Sequence, residues 1–377
     1  MRVALLTNGI WPYVIGGMQK HSFFLCKYLA RQKIEVVLFH TNEQPDMDIH
    51  QLEHFSEEEK KYITPVVMPP LKKFPFPGSY VYASYLYSKS INKALQKIGA
   101  VDFIIAKSTT AWYTLKKRKG PRVPVAINIH GYEFLQNQAN TRSRLESRLL
   151  SYPLTYVNKK ADYVFSYGGK ITDLIKSLGV PNDHIIEIPT GIESAWMAET
   201  VPAATGKRKF IFVGRFERRK GIQEIHEVIR NIHGEQDFEF HFIGPIPENQ
   251  KLNLSGVHYH GVIREKEKLQ GLLQAMHVLV CPSYSEGMPN VILEGIANGC
   301  AAIATDVGAV NQMIDEKVGW LIPPADIDAL QHAVLQAINI DNRQLDVLRN
   351  EALVRARDKF TWERIIEKTI SAIKQRI

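Results

Sequence analysis

The 377-residue sequence contains few cysteines and no long apolar run. Its three cysteines, Cys26, Cys281 and Cys300, are odd in number and lie far apart in apolar surroundings. This pattern argues against a disulfide framework or a cysteine-based zinc site and favours reduced core thiols in a reducing compartment. No stretch approaches the roughly 18 apolar residues of a membrane-spanning helix, so a bilayer-crossing protein is not expected. The apolar part of the N-terminal segment is too short for a signal-peptide core and predicts a first β-strand.

Low-complexity tracts are also missing, and 45% hydrophobic with 23% charged residues is the composition of an ordinary globular protein. A chain of this length exceeds one hydrophobic core, which predicts two domains. The net charge of +8 resides in one half. Residues 1–200 contain 25 Lys and Arg against 17 Asp and Glu, whereas residues 201–377 contain 22 of each. The basic half is either a solvated surface or one that attracts an anionic partner.

Short β-rich segments alternate with helix-length segments along the chain, and this spacing predicts parallel βαβ units. The first series of predicted strands comprises residues 3–7, 36–40, 103–106, 125–129, 163–167 and 185–188. The second series comprises residues 209–214, 238–244, 257–260, 277–282 and 301–305. Two successive series of this kind predict two doubly wound sheets.

A segment rich in Pro, Gly and small residues at 191–206 separates the two series and predicts a linker. We therefore predict one Rossmann-like domain at 1–190 and a second at 207–360. The amphipathic segment 361–377 has isoleucines at helical spacing, and we expect it to pack back on the first domain. Ligands of such sheets bind beyond the carboxyl ends of the strands, so we expect the two domains to face a central cleft.

The most specific motif is SYSEGMPNVILEGIANGC, which directly follows a predicted strand. Pro289 is suited to the first position of a helix, with Gly287 and Met288 in the entry loop. Backbone N–H groups and the positive dipole end at such a helix start form a phosphate site. Glu286 and Glu294, at different depths, can both accept hydrogen bonds from one extended polyhydroxyl ligand. The alternative is an ordinary capped helix.

A second motif, GRFERRKG, follows the first strand of the second series. Arg215 at the strand end and Lys220 at the start of the next helix can converge on a diphosphate. The motif is not a P-loop, which requires GxxxxGK followed by Ser or Thr. The alternative is a solvated cluster of cations.

Two weaker features lie in the N-terminal half. Gly16 and Gly17 follow the first strand, and their lack of a Cβ lets a backbone approach a phosphate or sugar, although a glycine pair is also a common turn. His130 follows the predicted strand at 125–129 and can bond a donor hydroxyl or stabilise a reacting centre. The alternative for His130 is a packed or capping histidine.

Two Asp pairs have the spacing of metal ligands, Asp46-Met47-Asp48 and Asp326-Ile327-Asp328. The first lies in a polar loop and the second opens a late helix, and such pairs arise easily by chance. We therefore expect neither a metal ion nor a bound cofactor.

Taken together, the Gly16-Gly17 loop, GRFERRKG and EGMPNVILE resemble the retaining glycosyltransferases of family 4 with the GT-B fold. The resemblance spans essentially the whole chain. It implies an α/β GT-B enzyme whose first domain binds an acceptor and whose second binds a nucleotide sugar. Such an enzyme would move a hexose from a UDP- or GDP-linked donor to a glycan or lipid-linked acceptor without a metal ion. Two alternatives stay open, a nucleotide-sugar epimerase of the same architecture and a non-catalytic nucleotide-sugar-binding protein.

The resemblance also implies residue roles, with His130 and Glu286 as the catalytic residues. The donor-binding residues would be Gly16, Gly17, Arg215, Lys220, Ile263, Gly287, Met288, Pro289, Asn290, Val291 and Glu294. Within this set, Glu294 would hold the ribose, and Arg215 with Lys220 would bind the diphosphate. Glu286 and the backbone after it would hold the donor sugar, and the backbone of Ile263 would read the base.

Basic and aromatic residues occur together in the N-terminal half, at 71–90, 115–120 and 141–160. This mixture suits the headgroup zone of an anionic membrane. We expect a cytoplasmic enzyme that can bind the inner face of the membrane and extend a lipid-linked sugar or cell-envelope glycan. The alternative is a soluble acceptor and an incidental basic surface. No nucleic acid is expected as a partner.

Overall fold

The fold of the 377-residue chain is that of a computed structural model. The structure describes residues 1–42, 52–72, 74–76, 78–118, 123–136 and 141–377, except for the side chains of 141–147. These residues form two compact units. The first comprises Met1–Phe134, Thr141–Thr190 and Trp362–Ile377, and the second consists mainly of Gly191–Thr361.

The first unit is built on a parallel sheet. Its strands are β1 (Arg2–Leu6), β2 (Glu35–His40), β3 (Ile63–Val67), β4 (Phe103–Lys107), β5 (Val125–Asn128), β6 (Tyr163–Ser166) and β7 (Ile185–Glu187). They lie in the order β3-β2-β1-β4-β5-β6-β7. The chain reverses its direction across the sheet between β3 and β4, which is the doubly wound topology. Residues 3–6 of β1 are fully buried, as expected for a parallel strand covered on both faces.

Helices connect these strands and cover the sheet. They are α1 (Gly17–Arg31), α2 (Glu57–Lys60), α3 (Ser79–Leu95), α4 (Trp112–Lys117), α5 (Thr141–Lys160), α6 (Lys170–Ser177) and, from the end of the chain, α12 (Trp362–Lys374). Helix α12 packs on α1. Trp362, Ile365, Ile366 and Ile373 are at most 1% exposed and join the core of this unit. Their helical spacing produces one apolar stripe, and burial of each isoleucine contributes about 1.5–3 kcal/mol.

The second unit contains another parallel sheet. Its strands are β8 (Arg208–Val213), β9 (Phe238–Ile243), β10 (Val257–Tyr259), β11 (Val278–Cys281), β12 (Ala301–Thr305) and β13 (Gly319–Ile322). Their order is β10-β9-β8-β11-β12-β13. The helices of this unit are α7 (Ile222–Ile232), α8 (Lys266–Gln274), α9 (Asn290–Ala297), α10 (Ile327–Asn339) and α11 (Asn342–Lys359). Helices α7 and α10 contact each other and share a buried core with the sheet.

The predicted α/β fold with two doubly wound parallel sheets is confirmed, and each predicted strand is present. Two edge strands, β3 and β13, were not predicted. Strand β3 contains Pro65, which cannot donate to a ladder and argues against a strand in sequence. Strand β13 begins at Gly319, where an added Cβ would lie 1.9 Å from the carbonyl oxygen of Ala302. This glycine therefore permits a close strand approach that its sequence context does not reveal.

Candidate active site

The loop after β8 and the loop after β11 lie against each other in the second unit. The Tyr284 N–H donates to the Arg219 carbonyl oxygen at 2.8 Å. Gly221 has a φ of 70°, and an added Cβ there would lie 2.1 Å from the Pro282 carbonyl oxygen. Because only glycine tolerates both conditions, Gly221 allows the GRFERRKG loop to contact the segment that carries Glu286.

An alternating chain of charges connects the two motifs. Arg215 pairs with Glu217 at 3.0 Å, and Glu217 pairs with Arg219 at 3.5 Å. Glu286 then pairs with Arg219 at 3.3 Å and accepts a hydrogen bond from Lys220 at 2.6 Å. Three cations and two carboxylates leave this charge chain with an excess positive charge. That excess favours an anionic ligand.

Glu286 is the most enclosed carboxylate of the charge chain, with 10% of its side chain exposed. Burial alone would raise its pKa, but Lys220 and Arg219 outweigh burial and hold the pKa of Glu286 below its usual value. The side chain is therefore an ionised acceptor at neutral pH. Such a group can orient hydroxyl groups or a cationic partner, and it is poorly suited to donate a proton.

A second polar group fixes the loop after β8. Arg218 donates to Glu224 at 2.8 Å and to the Tyr284 hydroxyl at 2.6 Å. The Tyr284 hydroxyl in turn donates to Glu224 at 2.6 Å. These mutual contacts occupy Arg218, whereas the Arg215 side chain is 72% exposed. Within this motif, Arg218 therefore holds the loop and Arg215 is accessible to a ligand.

Helix α9 begins at Asn290, one residue later than predicted, because Pro289 has an extended ψ of 117° and occupies the N-cap position. No side-chain capping hydrogen bond forms at this end. Val291 lies in the first turn, and Glu294, the fifth helical residue, is half-buried. The start of α9 therefore presents backbone N–H groups with the dipole orientation that suits a phosphate.

The segment before α9 is held by the loop after β12. Gly308 has a φ of 56°, and an added Cβ would lie 2.3 Å from the Glu286 carbonyl oxygen. The Ala309 N–H donates to the Gly287 carbonyl oxygen at 2.7 Å. These contacts fix the backbone that follows Glu286, including the largely buried Met288.

Ile263 lies between β10 and α8 and is half-buried. The preceding Gly261 accepts a hydrogen bond of 2.8 Å from the Gly244 N–H at the end of β9. This bond places the segment that contains Ile263 next to the carboxyl end of the sheet.

In the first unit, polar side chains gather at the carboxyl ends of three strands. Lys107 and Asn128 are the last residues of β4 and β5. His130 lies two residues beyond β5, and Tyr167 directly follows β6. His21 joins them from α1. We refer to these five residues as the lysine–histidine cluster.

Close contacts connect the members of this cluster. The Lys107 Nζ lies 2.9 Å from the His21 Nδ1 and also donates to the Asn128 Oδ1. The Tyr167 hydroxyl lies 2.7 Å from the His130 Nδ1. The rings of His21 and His130 meet edge to face with centroids 4.7 Å apart. His130 therefore contacts a continuous set of buried polar groups through Tyr167 and His21.

Burial determines the protonation of this cluster. It lowers the pKa of Lys107 well below its usual value, and Lys107 is completely buried. Burial, followed by the charge of Lys107, also lowers the pKa of His21 and of His130 well below 6.5. Within the described part of the chain, no acidic side chain pairs with Lys107. Both imidazoles are therefore neutral at pH 7 and can exchange hydrogen bonds with a ligand.

The glycine pair lies at the start of α1, with Gly16 as the N-cap and Gly17 as the first helical residue. No side-chain capping bond forms there. An added Cβ at Gly17 would meet no atom within 4 Å. Packing therefore does not require this glycine, and the open space leaves room for ligand atoms.

The predicted site residues thus form one set in each unit. The second unit contains Arg215, Lys220, Ile263, Glu286, Gly287, Met288, Pro289, Asn290, Val291 and Glu294, and the first contains Gly16, Gly17 and His130. The sequence patterns did not single out Arg219, Lys107, His21 or Tyr167. Lys107 and Tyr167 could have been found by the rule that identified His130, a polar residue at the end of an apolar strand.

One of the two Asp pairs caps a helix. Asp326 accepts a hydrogen bond of 2.8 Å from the Ala329 N–H and is the N-cap of α10. Such a cap stabilises a helix by about 1 kcal/mol. The other pair, Asp46 and Asp48, lies outside the described residues.

Comparisons with known proteins identify both halves of the chain. The model of Glycosyltransferase Family 4 matches residues 15–196, and the model of Glycosyl transferases group 1 matches residues 207–339. An uncharacterized glycosyltransferase of Methanocaldococcus jannaschii is 26% identical over 373 residues, which cover 96% of this chain and 95% of that protein. A glycosyltransferase assigned to teichuronic acid biosynthesis in Bacillus subtilis is 34% identical over 128 residues, 34% of this chain. The matched part spans about a third of the B. subtilis protein, 32% of its length.

A solved structure agrees with the fold. The sucrose-phosphate synthase of Thermosynechococcus elongatus superimposes with a TM-score of 0.77 at 20% identity, covering 99% of this chain and 98% of that protein. Two adjacent family matches, a relative matched along nearly its entire length and a shared fold all agree. This chain belongs to the group 1, family 4 glycosyltransferases, enzymes of the GT-B fold.

Proposed function

We propose that this glycosyltransferase is a retaining, metal-independent hexosyltransferase that uses a UDP- or GDP-linked sugar. The observation that carries the proposal is the charge chain, in which Arg219 and Lys220 pair with a buried, ionised Glu286 and Arg215 joins through Glu217, four residues before the start of α9. Fixed positive charge next to a helix N-terminus can stabilise a departing diphosphate, the task that a metal ion performs in other enzymes.

Each part of the donor has a candidate partner in the second unit. Arg215 and Lys220, with Arg219 between them, would bind the diphosphate together with the N–H groups at the start of α9. The carboxylate of Glu286 would accept hydrogen bonds from the donor sugar, and Glu294 would accept them from the ribose. The backbone near Ile263 would contact the base.

The proposed reaction breaks the bond between the anomeric carbon and the diphosphate oxygen and forms a bond to an acceptor oxygen. The departing phosphate takes the acceptor proton on the same face of the sugar, so configuration is retained and protons balance. His130 is neutral at pH 7 and would donate or accept a hydrogen bond at the donor sugar. Charge would then develop mainly on the diphosphate, where the cations of the charge chain would stabilise it.

The test begins with a thermal-shift panel of UDP- and GDP-linked sugars. The donor that raises the Tm is then incubated with candidate glycan and lipid-linked acceptors, and nucleoside diphosphate release is measured. We expect release that requires an acceptor and a product with the donor's anomeric configuration. Conversion of the donor to its epimer without an acceptor would contradict this proposal and identify the protein as an epimerase.

We expect Arg215→Ala and Lys220→Ala each to weaken nucleoside diphosphate binding about tenfold, since a hydrogen bond to a charged group contributes roughly 1.5–3 kcal/mol. The double variant should lose less than the sum, because Glu217, Arg219 and Glu286 connect the two cations. Calorimetry with UDP and GDP measures both effects. Lys207→Ala is the matched control, as Lys207 pairs with Asp237 at the opposite end of β8. Unchanged affinity for the nucleoside diphosphate in both single variants would mean that the two residues belong to a solvated cluster of cations without a binding role.

We also expect transfer to persist after EDTA treatment, because fixed cations are proposed to neutralise the diphosphate. The assay compares initial rates before and after chelation. A complete loss that magnesium or manganese restores would contradict a metal-independent mechanism.

The acceptor proposal rests on the surface of the first unit. Helix α4 contacts both α3 and α5, so the three lie side by side. They and the segment before α3 expose large apolar side chains, namely Phe76, Tyr80, Tyr82, Leu149 and Tyr152. Exposed cations accompany them, namely Lys72, Lys89, Lys116, Lys117 and Arg148. Residues 73, 77 and 119–122 and the side chains of 141–147 lie outside the described part of these segments.

Mixed aromatic and basic surface of this kind supports binding to an anionic membrane at its inner face. None of the described helices combines the length and apolar character of a membrane span. The name of the B. subtilis relative refers to teichuronic acid biosynthesis, which supports a glycan acceptor here.

We expect the protein to sediment with anionic vesicles at low salt and to be released as salt rises, because each cation near the surface contributes about 1 kcal/mol. Neutral vesicles serve as the control. A variant with Lys116 and Lys117 changed to glutamate should bind more weakly. No binding to anionic vesicles would exclude the membrane, while the transferase assignment would stand.

A further inference from the structure

A cluster of histidines and one glutamate lies on the edge of the second sheet. Strands β9 and β10 are parallel neighbours with His241 opposite His258, and β10 is the edge strand. Phe240 and Phe242 of β9 face the core, so Glu239 and His241 project to the other face. The pairing places His258 on that same face.

The potential ligand atoms of this cluster are close together. One atom each of Glu239, His241 and His258 lies within 4.8 Å of the others. The His241 Nε2 and the Glu239 Oε2 are only 3.4 Å apart. Tetrahedral zinc, with ligands at about 2.0–2.2 Å, holds its ligand atoms roughly 3.3–3.6 Å apart. His258 is exposed and Glu239 is 29% exposed, so both side chains can adjust by rotation.

A further histidine supports the orientation of His241. The Nε2 of His260 lies 2.9 Å from the Nδ1 of His241. If His241 coordinates through Nε2, its Nδ1–H donates to His260. A metal-bound histidine usually donates its other ring N–H to such an outer partner, which fixes the ring and its tautomer.

We propose that Glu239, His241 and His258 form a zinc site and that His260 supports it through its hydrogen bond to His241. The bound zinc would link β10 to β9. Two imidazoles and a carboxylate suit zinc and related transition metals, whereas magnesium and calcium prefer oxygen ligands alone. Strand β10 has three residues and one neighbour, so a metal bound across β9 and β10 would stabilise a short edge of the sheet. The site does not depend on the proposed transferase mechanism.

Two lysines oppose cation binding. The Lys209 Nζ lies 4.0 Å from the Glu239 Oε2, and the charge of Lys268 acts on His260. Zinc must compete with Lys209 for the glutamate. Removal of the Lys209 charge should therefore strengthen zinc binding.

The experiment is calorimetric titration of tag-free, chelator-stripped protein with ZnCl2 and, separately, MgCl2. All three cysteines are buried, so accessible thiols do not compete for zinc. We expect one zinc per chain at micromolar concentration, no heat with magnesium, and a higher Tm with zinc. Glu239→Gln and His258→Ala should each weaken binding at least 100-fold, His260→Ala about tenfold, and Lys209→Met should strengthen it several-fold.

The matched control is His332→Ala, which removes an exposed histidine from α10 of the same unit. It should bind zinc like the wild type. His258 is exposed, so its alanine variant should fold, and circular dichroism checks this. Failure of the wild-type protein to bind zinc at 100-fold molar excess, or unchanged affinity in His258→Ala, overturns the proposal.

Discussion

Replacement of Glu286 by glutamine is expected to lower turnover about 100-fold and to leave the chain folded. The carboxylate is ionised and buried between Lys220 and Arg219. The amide keeps its shape but loses the charge that strengthens hydrogen bonds to the donor sugar, and interactions of this kind contribute roughly 1.5–3 kcal/mol. The loss should fall on kcat if Glu286 acts mainly in the transition state.

Nucleoside diphosphate binding should respond in the opposite direction. Loss of the negative charge leaves Arg219 and Lys220 without their shared partner, so the loop becomes more positive. Calorimetry with UDP or GDP should therefore show equal or tighter binding. Glu217→Gln, which removes a carboxylate from the same charge chain, is the control and should retain most turnover. Wild-type turnover in folded Glu286→Gln would contradict the assignment.

The second large effect is expected for Lys107→Met, and it concerns pH. Burial lowers the pKa of Lys107 in the folded chain, so the unfolded chain binds more protons at pH values between the lowered pKa and 10.5. Stability must rise with pH in that window, by up to about 1.4 kcal/mol per pH unit for one proton. Methionine removes the proton equilibrium. The Tm of the wild type should therefore increase relative to that of the variant between about pH 7 and pH 8.5.

Restriction to this range limits ionisation of the thiols in the unfolded chain, which would lower stability as pH rises because burial raises the pKa of Cys26 in the folded chain. Lys117→Met, which changes an exposed lysine of α4, is the control and should show the wild-type pH dependence. Parallel Tm curves for the wild type and Lys107→Met would show that Lys107 keeps its ordinary protonation in the fold.

The pH dependence of activity should also depend on Lys107. Its charge contributes to the lowered pKa of His130, after burial. Without that charge the pKa of His130 rises, and the imidazole is protonated at a higher pH. The acid limb of the pH–rate profile should therefore move to higher pH in Lys107→Met. An unchanged limb would mean that the charge of Lys107 does not act on an imidazole of His130 that takes part in the reaction.

The sequence by itself determined the fold class and placed the two candidate motifs, GRFERRKG and EGMPNVILE, after strands of the second sheet. Apolar strands separated by helix-length segments predict a parallel doubly wound sheet, because such strands must be buried on both faces. Among the described strands, the edge strands β3 and β13 were not predicted, because Pro65 and Gly319 weaken the strand pattern. Arg215, Lys220 and Glu286 were predicted because ligand-binding residues of such sheets follow strand ends, and their role in binding stays a prediction.

The tertiary structure decided which of these groups meet. GRFERRKG contains several cations, and only the approach of two loops at Gly221 shows that Arg219 and Lys220 contact Glu286, while Arg218 turns to Glu224. Likewise, Lys107, His21 and His130 are far apart in sequence, and their pKa values depend on mutual distance and on exclusion of water. Charge interactions and burial are properties of spatial neighbours, so local sequence names the groups but the fold determines their partners and their protonation.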